Sequence, residues 1–132
     1  MQTRIAECRC GAVRVECQGD PLRVSVCHCL NCQRRSGSAF AAQARFPGER
    51  VTITGQTTEW KAAGDDGGRA TFQFCPTCGS TIAYSLHSVP GTIAVPIGAF
   101  ADPGFDPPRA SVYEVRKHPW VAVVGDDVER FD

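Results

Sequence analysis

The chain lacks a surplus of charge of either sign: its 14 Lys and Arg are matched by 14 Asp and Glu over 132 residues. Nucleic-acid binders carry a basic excess or stripe to neutralise phosphates. Neither is present, so nucleic acid is not an expected partner. Long apolar runs are missing too. The N-terminus, MQTRIAECRCGAV, holds no stretch of signal-peptide length. No segment approaches the roughly 20 apolar residues that cross a bilayer, so no membrane partner and a cytoplasmic location are expected. Extended amphipathic helical patterns, interdomain linkers and low-complexity segments are also missing. The length suits one domain over residues 1–132.

What the chain has instead is cysteine, eight in all. In an oxidising compartment an even count implies disulfides; in a reducing one, CxC and CxxC spacings imply metal. With no secretory signal, these residues read as thiolates available to a metal.

Short β-type runs recur between turn signals. AVRVEC (12–17) alternates, placing Val13, Val15 and Cys17 on one face. Further runs are LRVSVC (22–27), SAFAAQARF (38–46), RVTITG (50–55), TTEWKA (57–62), RATFQFC (69–75), TIAYSL (81–86) and TIAVPIG (92–98). A last run, SVYEVRK (111–117), leads into HPWVAVV (118–124). GDDGG (64–68) and ADPGFDPP (101–108) read as loops. LNCQRRSG (30–37) suits one short helix ended by Gly37. The fold class is therefore mainly β, mostly antiparallel, with short helical turns.

The cysteines sort by spacing. CPTCG (75–79) sets two thiolates across a tight turn, with a following glycine free to adopt φ > 0, the form of a zinc knuckle. CRCG (8–11) is a tighter relative. On a flat strand Cys8 and Cys10 would share a face about 6.6–6.8 Å apart, so a turn must converge them. The two half-sites combine into a four-cysteine structural zinc of Cys8, Cys10, Cys75 and Cys78, closed because four thiolates leave no vacancy.

CHCLNC (27–32) leaves Cys27, Cys29 and Cys32 with no fourth cysteine nearby. Three protein ligands and an exchangeable fourth position are the pattern of catalytic zinc. A three-thiolate zinc is a weak Lewis acid and a ready binder of another thiol. Closure by His28, His87 or His118, or a metal-free cluster, are the alternatives. His28, between two ligands, is expected to point elsewhere, and His87 and His118 read as surface or loop residues. Arg34 and Arg35 follow the last ligand closely, and one of them should lie near the metal to fork a substrate carboxylate. Cys17 reads as a small core residue, and Trp60 and Trp120 as core aromatics.

With these motifs placed, the chain resembles the glutathione-dependent formaldehyde-activating enzymes, a family that includes the centromere protein V group. The resemblance rests on CRCGAV (8–13), CHCLNCQRRSGSAF (27–40), FCPTCGSTIAY (74–84), VPIGAFADP (95–103) and HPW (118–120). It implies an Mss4-like fold of β-sheets around a zinc site, and a second, labile zinc at Cys27, Cys29 and Cys32. The implied reaction joins a small thiol, glutathione, to an aldehyde, formaldehyde, giving S-hydroxymethylglutathione; run in reverse it is a carbon–sulfur lyase. The competing readings are a related enzyme with another thiol substrate, a non-catalytic Mss4-like binding module, and a redox enzyme needing a reactive metal-free cysteine.

Overall fold

Alternating β-branched and polar residues separated by glycine turns build two sheets. The structure, a computed structural model, describes residues 1–63 and 68–132. The expected loop at 64–68 therefore lies, apart from Gly68, outside the described residues. The smaller sheet has the order β1 (Thr3–Glu7), β2 (Arg14–Gln18), β5 (Val51–Thr54), all antiparallel. The larger contains β3 (Arg23–Cys27), β4 (Ala41–Pro47), β6 (Thr58–Ala63), β7 (Arg69–Phe74), β8 (Thr81–Leu86), β9 (Thr92–Pro96), β10 (Ala110–Val112) and β11 (Glu129–Arg130). Its eight strands run in the order β11-β10-β3-β4-β9-β8-β7-β6. The pairing is antiparallel from β3 to β6. At the other end β10 pairs parallel with both β3 and β11. The mainly β expectation holds, with this parallel edge as its departure. No described helix is long and apolar enough to cross a membrane.

The core lies between the sheets. Val13, Val15 and Cys17 are fully buried there with Ala6, against Val24, Ala44, Phe46, Ile82 and Val95 of the larger sheet. Because side chains alternate along a strand, this leaves Arg23, Ser25 and Cys27 of β3 on the opposite face. That face carries the only α-helix among the described residues, α1 (Leu30–Ser36). Cys29 caps α1, its sulfur accepting from the Cys32 N–H at 3.3 Å. Gly37 ends it at φ 68°, a left-handed value that glycine adopts without strain.

Three expectations need correction. The run 111–117 is not one strand: β10 stops at Val112, Tyr113 turns to φ 56°, and Glu114–Arg116 form a 3₁₀ turn. Its side chains are diverted to a polar network described below. Residues 118–124 form no strand. Trp60 and Trp120 are not core residues, being 55% and 74% exposed. Trp60 lies on the edge strand β6 and stacks on Phe72 at 5.7 Å. Trp120 meets His118 edge-on at 5.6 Å. The strands β1 and β11 had not been anticipated.

One glycine couples the small sheet to the first cysteine turn. At Gly55, φ 105°, an added Cβ would sit 2.3 Å from the Ala12 carbonyl oxygen and 3.1 Å from Val13 Cα. Backbone atoms cannot yield there. The variant Gly55→Ala is expected to lose more than the ~1–3 kcal/mol typical of a strained backbone dihedral, seen as a lowered midpoint in urea denaturation. An unchanged midpoint would show that the β5–β6 turn moves independently of residues 12–13.

Candidate metal centres

Both half-sites of the first cluster use the same device. After Cys8 the chain turns so that the Gly11 N–H donates to the Cys8 carbonyl at 3.1 Å; after Cys75 the Gly79 N–H donates to the Cys75 carbonyl at 2.8 Å. Gly11 and Gly79 both stand at φ 80°, so each trailing glycine supplies the positive φ the turn needs. The four sulfurs of Cys8, Cys10, Cys75 and Cys78 come within 4.8 Å of one another. Cys10 Sγ lies 3.7 Å from both Cys8 Sγ and Cys75 Sγ. A tetrahedral ion with metal–sulfur bonds of about 2.3 Å requires sulfurs about 3.8 Å apart. The two edges from Cys10 have that length, and the cluster can hold a metal ion.

Its surroundings favour a thiolate at Cys78 and Cys8, while Cys10, despite the Ala12 N–H, is pushed up to about 11 by burial and the neighbouring thiols. The Val13 N–H donates to Cys8 Sγ at 3.2 Å. Ser80 joins the two half-sites, its hydroxyl accepting from the Arg9 N–H at 3.2 Å and lying 3.3 Å from Cys78 Sγ. The Ser80 hydroxyl and N–H together hold the Cys78 thiol down at about 5. Sequence reasoning stopped at Gly79 and missed Ser80, although it follows the knuckle directly. Cys8 and Cys75 are buried within the apolar core, so this centre belongs to the junction of the sheets.

The second cluster lies across the larger sheet, on its other face. Cys27 ends β3, Cys29 caps α1 and Cys32 stands in its first turn, bringing three sulfurs within 4.8 Å. Among the described residues no fourth cysteine, histidine or carboxylate joins them. Cys32 is held down at about 6, first by the Cys27 thiol donating to it and further by the Arg35 guanidinium; sharing that proton keeps Cys27 far above its ordinary range. Burial raises Cys29. The three thiols shift one another's ionisation, as expected of ligands converged on one point.

Of the two arginines expected here, Arg35 approaches the cluster. It interacts with Cys32 and lies over the rings of Phe72 and Tyr84, 5.1 and 5.0 Å from their centroids. Arg34 is exposed, with no hydrogen bond or ion pair among the described residues. Helical spacing could have chosen between them, since Arg35 is three positions on from Cys32 and shares its face.

His28 does turn away from the thiols. It is fully buried, its Nε2 2.8 Å from Ser111 Oγ, and Ser111 donates to Glu114 at 2.5 Å. Lys117 and Arg130 surround Glu114 at 3.3 and 3.7 Å. These neighbours, with the Ser111 hydrogen bond foremost, hold the Glu114 carboxyl below its usual range. Gln33 completes the anchorage, donating to the His28 carbonyl at 2.8 Å and meeting His118 Nε2 at 2.9 Å through its own carbonyl. The metal loop is thus pinned to residues 111–118 by polar groups that no local motif announces. His87 is exposed and His118 half-buried, and neither approaches the sulfurs. Cys17 is fully buried, and burial pushes its thiol up to about 11, leaving it protonated and inert.

Because the first cluster joins the sheets, the variant Cys75→Ser is expected to lose one bound metal equivalent and to unfold at least 10 °C lower, an effect of several kcal/mol. Chelation of the wild-type protein should lower the melting temperature similarly. Metal analysis with a thermal melt checks both, and an unchanged melt would deny this centre its structural role.

Comparison with known proteins agrees with this geometry. The family model described as glutathione-dependent formaldehyde-activating enzyme matches residues 3–116. A crystal structure of a Rhodobacter sphaeroides protein is similar, with 26% identity, a TM-score of 0.54, and coverage of 78% of this chain and 91% of that one. No curated protein matches. With a match spanning both cysteine clusters and ten of the eleven strands, the chain belongs to the glutathione-dependent formaldehyde-activating enzyme family.

Proposed function

We propose that the protein is a zinc-dependent carbon–sulfur lyase acting on a thiol–aldehyde adduct such as S-hydroxymethylglutathione. The observation that carries this reading is the incomplete donor set: three thiols converge at Cys27, Cys29 and Cys32, and no fourth described donor closes them. Zinc held there would leave one coordination position for a substrate thiol, lowering its pKa and keeping it as thiolate at neutral pH. The four-cysteine centre would hold zinc with no vacancy.

The chain's own groups suit that task. Three thiolates and a dication sum to −1, and a thiolate substrate makes −2. Arg35, placed against Cys32, offsets one unit and favours the charged form of the assembly. Its guanidinium rests on Phe72 and Tyr84, so the charge is held without a competing carboxylate. Cys29 and Cys32 lie on one helical turn, and Gln33 and His28 fix that turn to the sheet. The sulfurs of Cys29 and Cys32 are therefore held in place relative to Cys27, and a zinc bound there would keep its position for a substrate thiol.

In the condensation direction the substrate sulfur attacks the aldehyde carbon. A C–S bond forms, the C=O π pair moves to oxygen, and the oxygen takes a proton from water. Lysis reverses each step and returns thiol and aldehyde. The chain contributes proximity and a held thiolate, effects that together account for large accelerations in bimolecular condensations.

Replacing Cys29 by Ser tests this reading, because Cys29 lies outside the apolar core. The variant is expected to keep its circular dichroism spectrum and the metal of the four-cysteine centre. Its exchange between glutathione, formaldehyde and their adduct, followed by two-dimensional NMR exchange spectroscopy, should fall at least a hundredfold. An unfolded variant would point to a second structural centre. A folded variant with wild-type exchange would remove the cluster from the chemistry.

A further inference from the structure

The larger sheet ends in two unlike edges. β11 is two residues long, and so short an edge offers little for another chain to pair with. β6 is six residues long and pairs on one side alone, with β7. It contains no proline, its register with β7 runs unbroken from Thr58 to Ala63, and every residue but Ala62 is exposed. A long, regular, uncovered edge is what sheets ordinarily avoid, because it templates the pairing of another strand.

The backbone groups on the open side follow from the neighbouring strands. The His87 N–H donates to the Arg69 carbonyl at 3.0 Å, so Arg69 turns its N–H and C=O toward β8. These directions alternate along a strand, which turns Ala70 and Phe72 toward β6. Their register partners Ala62 and Trp60 therefore face β7. Glu59 and Lys61 are out of phase with them and present N–H and C=O outward.

The side chains of the same two residues carry opposite charges. Both are exposed on one face of the sheet, and neither forms an ion pair among the described residues. Trp60 points to the other face, 55% exposed and stacked on Phe72 at 5.7 Å.

A second β6 laid antiparallel along this edge can be centred on Glu59, Trp60 or Lys61. Centring on Glu59 or Lys61 sets like charges directly opposite, which is destabilising. Centring between two residues opposes an outward backbone group with an inward one. Centring on Trp60 sets Glu59 opposite the partner's Lys61, and Lys61 opposite the partner's Glu59. Their outward N–H and C=O groups then meet as hydrogen-bonded pairs. Trp60 meets the partner's Trp60 as a non-hydrogen-bonded pair, the position where cross-strand side chains come closest. Backbone phase and charge thus select the same register.

We infer that β6 is the docking edge for a second copy of this chain, joined antiparallel about Trp60 into one continuous sheet. The two-fold axis stands perpendicular to that sheet. Both copies therefore carry Trp60, Phe72, Tyr84 and the second cysteine cluster on the same face, where Arg35 covers Phe72 and Tyr84. The inference is independent of the chemistry at the cysteines. A single-strand contact is small beside a standard interface of roughly 1,600 Å², so the dimer dissociates on dilution.

Sedimentation equilibrium on the full chain tests this. Between about 10 μM and about 1 mM the mass should rise from the 14.2 kDa of one chain toward twice that value. Glu59→Lys and Lys61→Glu each set like charges opposite in both cross-strand pairs, and each should weaken the dimer at least tenfold. Both residues are exposed, so the circular dichroism spectra and melts of these variants should match the wild type. An equimolar mixture of the two variants restores both unlike pairs and should recover the dimer that each alone loses. A wild type that stays at the mass of one chain throughout would overturn the inference. A dimer indifferent to both charge reversals would place the contact on another surface and overturn it equally. Loss in both variants without recovery in the mixture would overturn the Trp60-centred register.

Discussion

Sulfur convergence is the constraint on which the rest of the molecule depends. Four thiols from two turns separated by more than sixty residues of chain meet at a spacing set by a tetrahedral ion. Gathering them fixes where β2 leaves the first turn and where β8 leaves the second. The two sheets then close over Val13, Val15, Phe46, Ile82 and Val95. A chain of this size buries a modest core, and a metal at that junction would add folding free energy where apolar area is limited. Ser80, bonded to both half-sites, makes the junction a connected unit rather than two adjacent turns.

The larger sheet puts the two cysteine clusters on opposite faces. Strand alternation sends Val24, Ala44 and Val95 toward the small sheet and the closed cluster. The intervening residues Cys27, Gln43, Arg45 and Tyr84 face the open cluster. A metal with a vacancy must exchange ligands, and exchange beside the core would expose the packing to each departing ligand. On the opposite face, a metal held by the three thiols would exchange a ligand without disturbing the core. Its loop instead leans on polar groups, His28 with Ser111 and Glu114, and Gln33 with His118.

Local rules explain why some of this was legible in the sequence. The knuckle glycines, the helix from Leu30 stopped by Gly37, and the buried face Val13–Val15–Cys17 each depend on residues a few positions apart, so spacing reveals them. The two cysteine groupings were legible because ligand count restricts the combinations. The misread parts depend on distant partners. Alternation at 111–117 suggested a strand, but Ser111 and Glu114 turn toward His28, more than eighty residues earlier in the chain. Trp60 looked apolar enough for a core, yet it sits on the edge strand, where one neighbour is missing. Arg34 and Arg35 both stood as candidates although a helix over 30–37 was expected; the phase of that helix, which sets Arg35 on the face of Cys32, separates them.

Residues that stand level across the larger sheet show the same limit most clearly. Arg23, Arg45, Ala94, Tyr84, Phe72 and Trp60 are drawn from six strands and have no common motif, and only register brings them level. A register slip of one residue on β4 would turn Arg45 into the core and bring Ala44 or Phe46 to the opposite face. Burying a guanidinium among Val24 and Val95 is far less favourable than the observed pairing, so the core residues fix the register. The core thereby also fixes the distance from the cysteine cluster to Arg45. Packing on one face of the sheet thus sets which side chains stand level with one another on the other.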